Sequence, residues 1–139
     1  PWTVEIARND GGTQRLTTRS IIIASGAEPV VPDIPGIADS GYVTSETLWA
    51  TFAAMDEAPR RIAVLGGGPI GCELSQAFAR LGCQVTQIER GERVLAREDD
   101  DVSALARASL EESGVRVLTG HKAVRIEGRK LIAKGEDAE

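Results

Sequence analysis

Residues 61–71 read RIAVLGGGPIG, and this stretch decides the fold. The apolar run at 61–65 predicts a short buried strand, and glycines follow it at positions 66, 68 and 71. Five apolar residues then recur at helical spacing, which predicts a helix that buries this stripe and ends at Gly82. They are Ile70, Leu74, Ala77, Phe78 and Leu81. The stretch therefore predicts a strand, a tight glycine turn and a helix.

Strands and helices continue to alternate after this unit. Gln84–Ile88 and Val115–Leu118 read as two further strands, and Asp99–Asp101 places negative charge where a helix between them would begin. Because crossovers between parallel strands are right-handed, this order predicts a Rossmann-like, doubly wound parallel sheet of the α/β class. Residues 122–133 predict a β-hairpin appendage around Glu127-Gly128. The second helix is expected to bury Val102, Leu105, Ala106 and Leu110.

The residues before Pro59 read as β-rich. Trp2–Ala7 and Thr13–Thr17 predict a hairpin, and the β-branched run Ser20–Ala24 predicts a strand that is buried on both faces. Residues 29–41 contain too many Pro and Gly residues for regular structure, so we interpret them as an extended connector. A short helix with Leu48 and Phe52 on one face is predicted next.

Composition and charge exclude several classes of protein. The chain has 139 residues, with 16 Lys plus Arg, 21 Asp plus Glu, one His and a formal net charge of −5. This acidic balance, with aromatic residues at 4%, offers no surface for nucleic acid. The longest apolar stretch, Ile21–Ala24, is far shorter than the roughly 20 residues that span a bilayer. We expect neither a nucleic-acid nor a membrane partner, and a cytoplasmic location.

The cysteines and the single histidine do not suggest a redox or metal centre. The spacing of Cys72 and Cys83 fits neither a Cys-x-x-Cys pair nor a zinc knuckle, and His121 alone cannot complete a metal site. We interpret both cysteines as small buried residues, and their number favours a reducing compartment. No residue is predicted to be catalytic, because spacing places no carboxylate or thiol partner for His121.

The glycines at 66, 68 and 71 match a fingerprint that binds dinucleotides, Gly-x-Gly-x-x-Gly between a strand and a helix. In such a turn Gly66 would make the tight bend, and Gly68 would lack the Cβ that holds off a pyrophosphate. Gly71 would let helix and strand pack closely, and the free N–H groups of the helix start would bind the phosphates. The alternative is a plain strand-to-helix turn in an unrelated α/β protein.

The choice of nucleotide depends on Glu89 and its neighbours. Glu89 ends the second strand of the unit, where its carboxylate can accept hydrogen bonds from the ribose hydroxyls and repel a 2′-phosphate. Arg90 and Arg93 lie close by, and a guanidinium at either place could hold that phosphate instead. Following the acidic-residue rule, we favour NAD(H) over NADP(H).

Three segments together resemble a known family, the FAD-dependent pyridine nucleotide-disulfide oxidoreductases, which include dihydrolipoamide dehydrogenase, mercuric reductase and glutathione reductase. Ser20–Pro29 is similar to the strand and Ser-Gly turn that close the first half of the family's FAD domain. Tyr42–Leu48 resembles the segment leading into its NAD domain, and Gly66–Glu73 resembles its nucleotide loop. The glycine loop follows the Ser-Gly turn by some forty residues, as the second, NAD-binding fingerprint does in the family.

The resemblance implies a role for several residues. It places Glu73 toward the nicotinamide, Glu89 at the ribose and Ala123 near the adenine. In the family, the glutamate at the position of Glu73 pairs with a lysine of the FAD domain, and that lysine has no counterpart here. The residues implied or predicted to contact NAD are Gly66, Gly67, Gly68, Pro69, Ile70, Gly71, Glu73, Glu89, Arg90 and Ala123, and those implied to border FAD are Ser25, Gly26 and Ala27.

The resemblance also implies a division of the chain. Residues 1–41 would be the C-terminal part of an FAD-domain segment plus connector, and 42–58 a linking segment with a short helix. Residues 59–139 would be an NAD(P)-binding Rossmann domain that ends before its last strand. The family's Cys-x-x-x-x-Cys pair and its dimerisation domain have no counterpart here, so we interpret the chain as an internal fragment that is not catalytically competent alone.

The intact protein would then transfer hydride between NAD(H) and FAD and pass electrons to a disulfide, a metal ion or a thiol acceptor, as a homodimer. Two alternatives stay open. One is a flavoprotein without the cysteine pair, such as an NADH oxidase or a ferredoxin- or rubredoxin-type reductase. The other is a non-catalytic Rossmann module that senses a nucleotide by binding alone.

Overall fold

The computed structural model describes residues 1–135 and contains, within them, a three-stranded parallel sheet and two antiparallel hairpins. The elements run, in chain order, β1 Trp2–Ala7, β2 Thr13–Thr18, α1 Leu48–Ala53, β3 Arg61–Leu65, α2 Pro69–Arg80, β4 Gln84–Ile88, α3 Asp100–Glu112, β5 Arg116–Leu118, β6 His121–Glu127 and β7 Lys130–Gly135. The last four residues of the predicted domain 59–139 lie outside the described range. None of the helices in the described range is long and apolar enough to cross a membrane.

The parallel sheet has the strand order β3-β4-β5, with α2 and α3 as the two crossovers. Leu65 lies opposite Ile88, and Ile88 lies opposite Leu118. The carboxyl ends of all three strands therefore meet at one edge of the sheet, where ligands bind in open α/β sheets. The predicted α/β class with a parallel sheet and a β6-β7 hairpin is confirmed.

The core lies between the parallel sheet and the helices. Val85 and Val117 supply the sheet side, and Phe78 of α2 and Leu110 of α3 cover it. The short helix α1 adds its buried Leu48 to the same cluster. The predicted helix around residues 48–52 is thus confirmed, and its buried face joins it to the Rossmann-type core.

The buried faces of α2 and α3 match the predicted apolar stripes only in part. Leu81 is 78% exposed and Leu105 is 72% exposed, whereas Ser75 and Ser103 are almost completely buried. The Ser103 hydroxyl donates to the carbonyl of Val94 at 2.6 Å, in the loop that follows β4. The hydrophobic spacing therefore identified both helices and correctly placed Phe78 and Leu110 in the core, but it also assigned exposed residues to the buried faces.

The segment Ser20–Ala24 does not form the predicted buried strand. It has no regular structure, and Ile22 and Ile23 are 91% and 86% exposed. A β-strand needs a partner for its backbone N–H and C=O groups, and none of the strands in residues 1–135 runs beside this segment. The predicted hairpin before it is confirmed as β1 paired with β2, and residues 29–41 are irregular as predicted.

Candidate functional site

The glycine turn lies at the carboxyl edge of the parallel sheet, between β3 and α2. Gly66 has φ +107°, a left-handed conformation that side chains rarely adopt. A Cβ on Gly71 would collide with the carbonyl oxygen of Gly66, so only glycine allows α2 to start this close to β3. The predicted tight bend at Gly66 and the predicted close packing at Gly71 are both confirmed.

Two side chains of the β4 end hold the peptide unit between Gly66 and Gly67. Its carbonyl oxygen, on Gly66, accepts a hydrogen bond from Nε2 of Gln87 at 3.0 Å. Its N–H, on Gly67, donates to Oε2 of Glu89 at 2.5 Å. A peptide between two glycines has no Cβ to restrict its rotation, so these bonds fix its orientation.

The flanking backbone groups of the same two glycines are also paired. The Gly66 N–H donates to the carbonyl of Ile88 at 2.8 Å, and the Gly67 carbonyl accepts from the N–H of Leu95 at 2.7 Å. Leu95 holds a left-handed φ of 49°, which is unusual outside glycine. The loop that follows β4 thus reaches back to the glycine turn and holds it from the other side.

The next amides of the turn are free. Within residues 1–135, the N–H groups of Gly68, Ile70 and Gly71 make no backbone hydrogen bond. Gly68 is the N-cap of α2, and a Cβ built on it would meet no heavy atom within 4 Å. Unpaired amides at the positive end of a 12-residue helix, with open space beside Gly68, fit a phosphate group.

Glu89 lies beside these amides with its carboxylate fixed at both oxygens. Besides the Gly67 bond, its Oε1 accepts from the Gly91 N–H at 2.6 Å. An ionised carboxylate has about four acceptor positions, so each oxygen retains one for a further donor such as a ribose hydroxyl. The backbone carbonyl of Glu89 accepts from the His121 N–H at 3.0 Å, which places the start of β6 next to it.

The two arginines near Glu89 differ in whether their guanidinium groups are already paired. Arg93 forms an ion pair with Asp100, and its guanidinium also donates to the carbonyls of Ala96 at 3.2 Å and Glu98 at 3.3 Å. Arg90 is exposed and forms no hydrogen bond or ion pair with any side chain described here. Arg90 is therefore the guanidinium that is available to a ligand.

The other predicted site residues lie outside the glycine turn, in α2, in β6 and in the irregular segment before α1. Glu73 is exposed in the second turn of α2, and Ala123 is half-buried in β6, two residues after the strand start that contacts Glu89. Ser25, Gly26 and Ala27 are exposed in an irregular segment, and no hydrogen bond in the described part of the chain connects them to the glycine turn. Their implied contact with FAD stays a prediction.

Sequence reasoning missed two residues of this site. Gln87 carried a signal in the sequence, because it is a polar residue in a predicted strand that also contains the apolar residues Val85 and Ile88. The structure shows that its side chain is completely buried. Leu95 carried none, because nothing in the sequence indicates a left-handed leucine that bonds to a glycine twenty-eight positions earlier.

A buried cysteine lies beside the turn. Cys72 is buried, and its Sγ lies 3.5 Å from the Gly67 carbonyl oxygen and 3.5 Å from Nε2 of Gln87. Burial raises the pKa of the Cys72 thiol above its ordinary value. The interpretation as a small buried residue is confirmed for Cys72, whereas Cys83 is half-buried.

Cys83 belongs to a different region, a shallow concavity of about 420 Å³ near the amino ends of β4 and β5 that Gly114 and Arg116 also line. This concavity contains neither free helix amides nor a carboxylate. We therefore place the functional site at the glycine turn. Nowhere in residues 1–135 do three His, Cys, Asp or Glu side chains come together as a metal site.

The parallel β-α-β sheet, the glycine turn and the acidic residue after β4 define the chain as a Rossmann-type α/β domain. The chain belongs to the pyridine nucleotide-disulphide oxidoreductase family, whose sequence profile it matches over residues 2–139. The resemblance that the sequence motifs indicated is thereby confirmed.

Similar proteins are found by sequence and by structure. A mercuric reductase of Staphylococcus aureus is 40% identical over 107 residues, which are 77% of this chain and 19% of that protein. The HOCl-induced flavoprotein disulfide reductase RclA of Escherichia coli superposes with a TM-score of 0.67 and 30% identity, over 98% of this chain and 30% of that one. A water-forming NADH oxidase from Lactobacillus brevis, bound to NADH, gives 0.66 and 27%, over 91% of this chain and 29% of that one. The chain thus spans less than a third of the length of these relatives.

Proposed function

We propose that the glycine turn binds the pyrophosphate of NAD(H), and that this chain is the nicotinamide-dinucleotide site of a flavoprotein oxidoreductase. The observation that carries the proposal is the fixed Gly66–Gly67 peptide beside free amides and open space at Gly68. Binding a dianionic pyrophosphate satisfies amides that otherwise face only water. The solved structure of the similar NADH oxidase, which holds NADH, supports the same ligand.

Glu89 favours NAD(H) over NADP(H) in this proposal. Its carboxylate is fixed by two backbone amides and keeps acceptor positions for the ribose hydroxyls. A 2′-phosphate at the same place would meet a negative charge that cannot rotate away. Arg93 is engaged with Asp100 and two carbonyls, so only Arg90 is available to offset that repulsion.

The remaining predicted contacts complete the proposed site. Glu73 would lie on the nicotinamide side, Ala123 near the adenine, and Pro69 would contribute to the surface at the helix start. Ser25, Gly26 and Ala27 would border FAD. Gly26, with φ +79° and no atom within 4 Å of a Cβ built on it, fits a turn that a flat ring approaches closely.

For the intact protein we infer a flavoenzyme that is homodimeric and cytoplasmic. FAD, when bound, supplies two-electron chemistry and accepts a hydride from the nicotinamide. This chain would orient the dinucleotide through the glycine turn and Glu89, and the electrons would pass to a disulfide, a metal ion or a thiol acceptor. Similarity to mercuric reductase and to a flavoprotein disulfide reductase supports this acceptor class.

An NADH oxidase is the second candidate, because the Lactobacillus brevis enzyme covers 91% of this chain at a TM-score of 0.66. The two candidates differ outside this chain, since only a disulfide reductase needs a redox-active Cys-x-x-x-x-Cys pair. NADH consumption by the full-length protein, with oxygen as the only acceptor and then with a disulfide added, separates them.

The test of the proposed site is a titration of the full-length protein with NADH and NADPH. NADH is expected to bind more tightly, and a Gly68→Ala variant should lose at least about tenfold in NADH affinity because its Cβ fills the phosphate space. Gly68 has φ −76° and no protein neighbour to its Cβ, so this variant should unfold at the same temperature as the wild type. Absence of binding by either dinucleotide at millimolar concentration would refute the proposal.

A further inference from the structure

Gln87 is the one completely buried amide side chain in the described part of the chain, and it lies directly beneath the glycine turn. It occupies the fourth position of β4, which is flanked by β3 and β5 in the middle of the sheet. Burial of an amide in such a place costs free energy unless its polar atoms find partners. An apolar residue would suit this buried position, so the presence of an amide side chain there has to be explained.

The amide of Gln87 is directed at two of the fingerprint glycines. Its Nε2 donates to the Gly66 carbonyl at 3.0 Å, and it would lie 3.3 Å from a Cβ placed on Gly71. It therefore occupies the point where the start of α2 passes the end of β3. Gln87 and Glu89 together hold the two ends of the Gly66–Gly67 peptide unit.

The other half of the Gln87 amide is unsatisfied. Its Oε1 has no hydrogen-bond partner among the described residues, and its second Nε2 hydrogen has only the weak acceptor Sγ of Cys72 at 3.5 Å. An amide that is buried and half-satisfied lowers stability compared with an apolar side chain of the same size. The bond to Gly66 is thus not explained by a gain in stability.

We propose that Gln87 is a positioning residue for the dinucleotide, which sets the orientation of the Gly66–Gly67 peptide so that the following amides face the phosphates. The inference rests on the proposed function. Without the Gln87 donor, the Gly66 carbonyl can rotate away from the sheet, and the glycine peptide samples orientations in which the amides of Gly68 and Ile70 diverge. The cost of reordering them then appears as weaker binding.

The test replaces Gln87 by methionine, which has a similar length and no donor. In the full-length protein, Gln87→Met is expected to weaken NADH binding about three- to tenfold, the effect of one neutral hydrogen bond. The KM for NADH should rise by the same factor while kcat is unchanged. The unfolding temperature should stay equal or rise, because an unsatisfied amide has been removed from the interior.

Gln76→Met is the matched control. The Nε2 of Gln76 bonds to Oγ of Ser109 at 2.9 Å and to Oγ of Ser113 at 3.1 Å, which connects α2 to α3 away from the turn. Its loss should lower the unfolding temperature and leave NADH affinity unchanged. If Gln87→Met also loses stability and affinity in proportion, or keeps wild-type affinity, the inference is overturned.

Two further variants keep the inference testable. Leucine also lacks a donor and suits a buried strand. Gln87→Leu therefore replaces Gln87→Met as the test variant if Gln87→Met does not fold. Gln87→Glu adds a pH dependence, because only the protonated carboxyl can donate to the Gly66 carbonyl, so NADH affinity should recover as the pH is lowered. A pH profile that parallels the wild type contradicts the inference, and a wild-type protein that does not bind NADH overturns the proposed function along with it.

Discussion

At the scale of single residues, the glycines of the turn are required for different reasons. Gly66 is required for its left-handed backbone, and Gly68 for the space in front of it. Gly71 is required because a Cβ there would collide with the carbonyl group of Gly66, directly after β3. The reasons for Gly66 and Gly71 concern the fold itself, whereas the reason for Gly68 concerns the ligand. Substitutions of Gly71 and Gly68 should therefore have different effects on stability and binding.

Gly71→Ala is therefore expected to destabilise the protein. Its Cβ would collide with the Gly66 carbonyl oxygen. Neither the backbone of α2 nor the Gly66 peptide can move away without shifting the residues joined to it. The free energy of unfolding should fall by about 1–3 kcal/mol, as for other overpacked sites. Chemical denaturation measures this change, with Gly68→Ala as the control that should unfold like the wild type. Equal stability of the two variants would show that α2 can shift away from β3.

The two cysteines should differ in reactivity. Burial raises the pKa of the Cys72 thiol, so a smaller fraction is thiolate at a given pH and its sulfur is also shielded. At about pH 8, near the ordinary thiol range, iodoacetamide should modify the half-buried Cys83 first. Mass spectrometry of timed samples measures both rates, and a Cys83→Ser variant isolates the slow reaction. Faster modification of Cys72 would contradict the burial described here.

At the scale of elements, the order of strands and helices could be predicted from the sequence, and the buried faces of the helices only in part. Alternation of apolar runs with helical stripes identified β3, α2, β4, α3 and β5. The stripes identified Phe78 and Leu110 as core residues but missed Ser75 and Ser103, which are small, polar and almost completely buried. The glycine turn was predictable because its chemistry is local, whereas its support by Gln87 and Leu95 depends on tertiary contacts.

The end of β4 and the glycine turn should behave as one unit joined by Glu89. Its two oxygens accept amide bonds of 2.5 and 2.6 Å, and such bonds to a charged acceptor are stronger than neutral ones. Glu89→Gln leaves one acceptor oxygen for these two amides. The free energy of unfolding should fall by about 1–3 kcal/mol, and NADH affinity should fall with it.

Glu92→Gln is the control for that experiment, because Glu92 is an exposed residue of the same loop. It should change neither stability nor binding. If Glu89→Gln lowers NADH affinity without affecting stability, the carboxylate acts on the ligand alone, and its bonds to the turn contribute little to the fold.

At the scale of the whole molecule, the two parts of the chain differ in how completely their apolar residues are buried. The Rossmann-type part buries Val85, Val94 and Val117 almost fully. Ile22, Ile23 and Val30 are each more than four-fifths exposed, in a segment without regular structure. Large apolar side chains exposed in this way are expected where another part of the protein or a partner covers the surface.

Limited proteolysis should reveal this difference. Arg19 is exposed and borders the irregular segment, whereas Arg61 and Arg116 lie in the parallel sheet, so trypsin should cut the 139-residue chain after Arg19 first. In the full-length protein, the resemblance of Ser20–Ala24 to a strand of the FAD domain predicts that this cleavage slows by at least about tenfold, because proteases require local unfolding of ordered segments. The cuts after Arg61 and Arg116 serve as internal references in both samples. Equally rapid cleavage after Arg19 in both samples would mean that Ile21, Ile22 and Ile23 stay uncovered. The assignment of this segment to a buried strand would then be wrong for the intact protein as well.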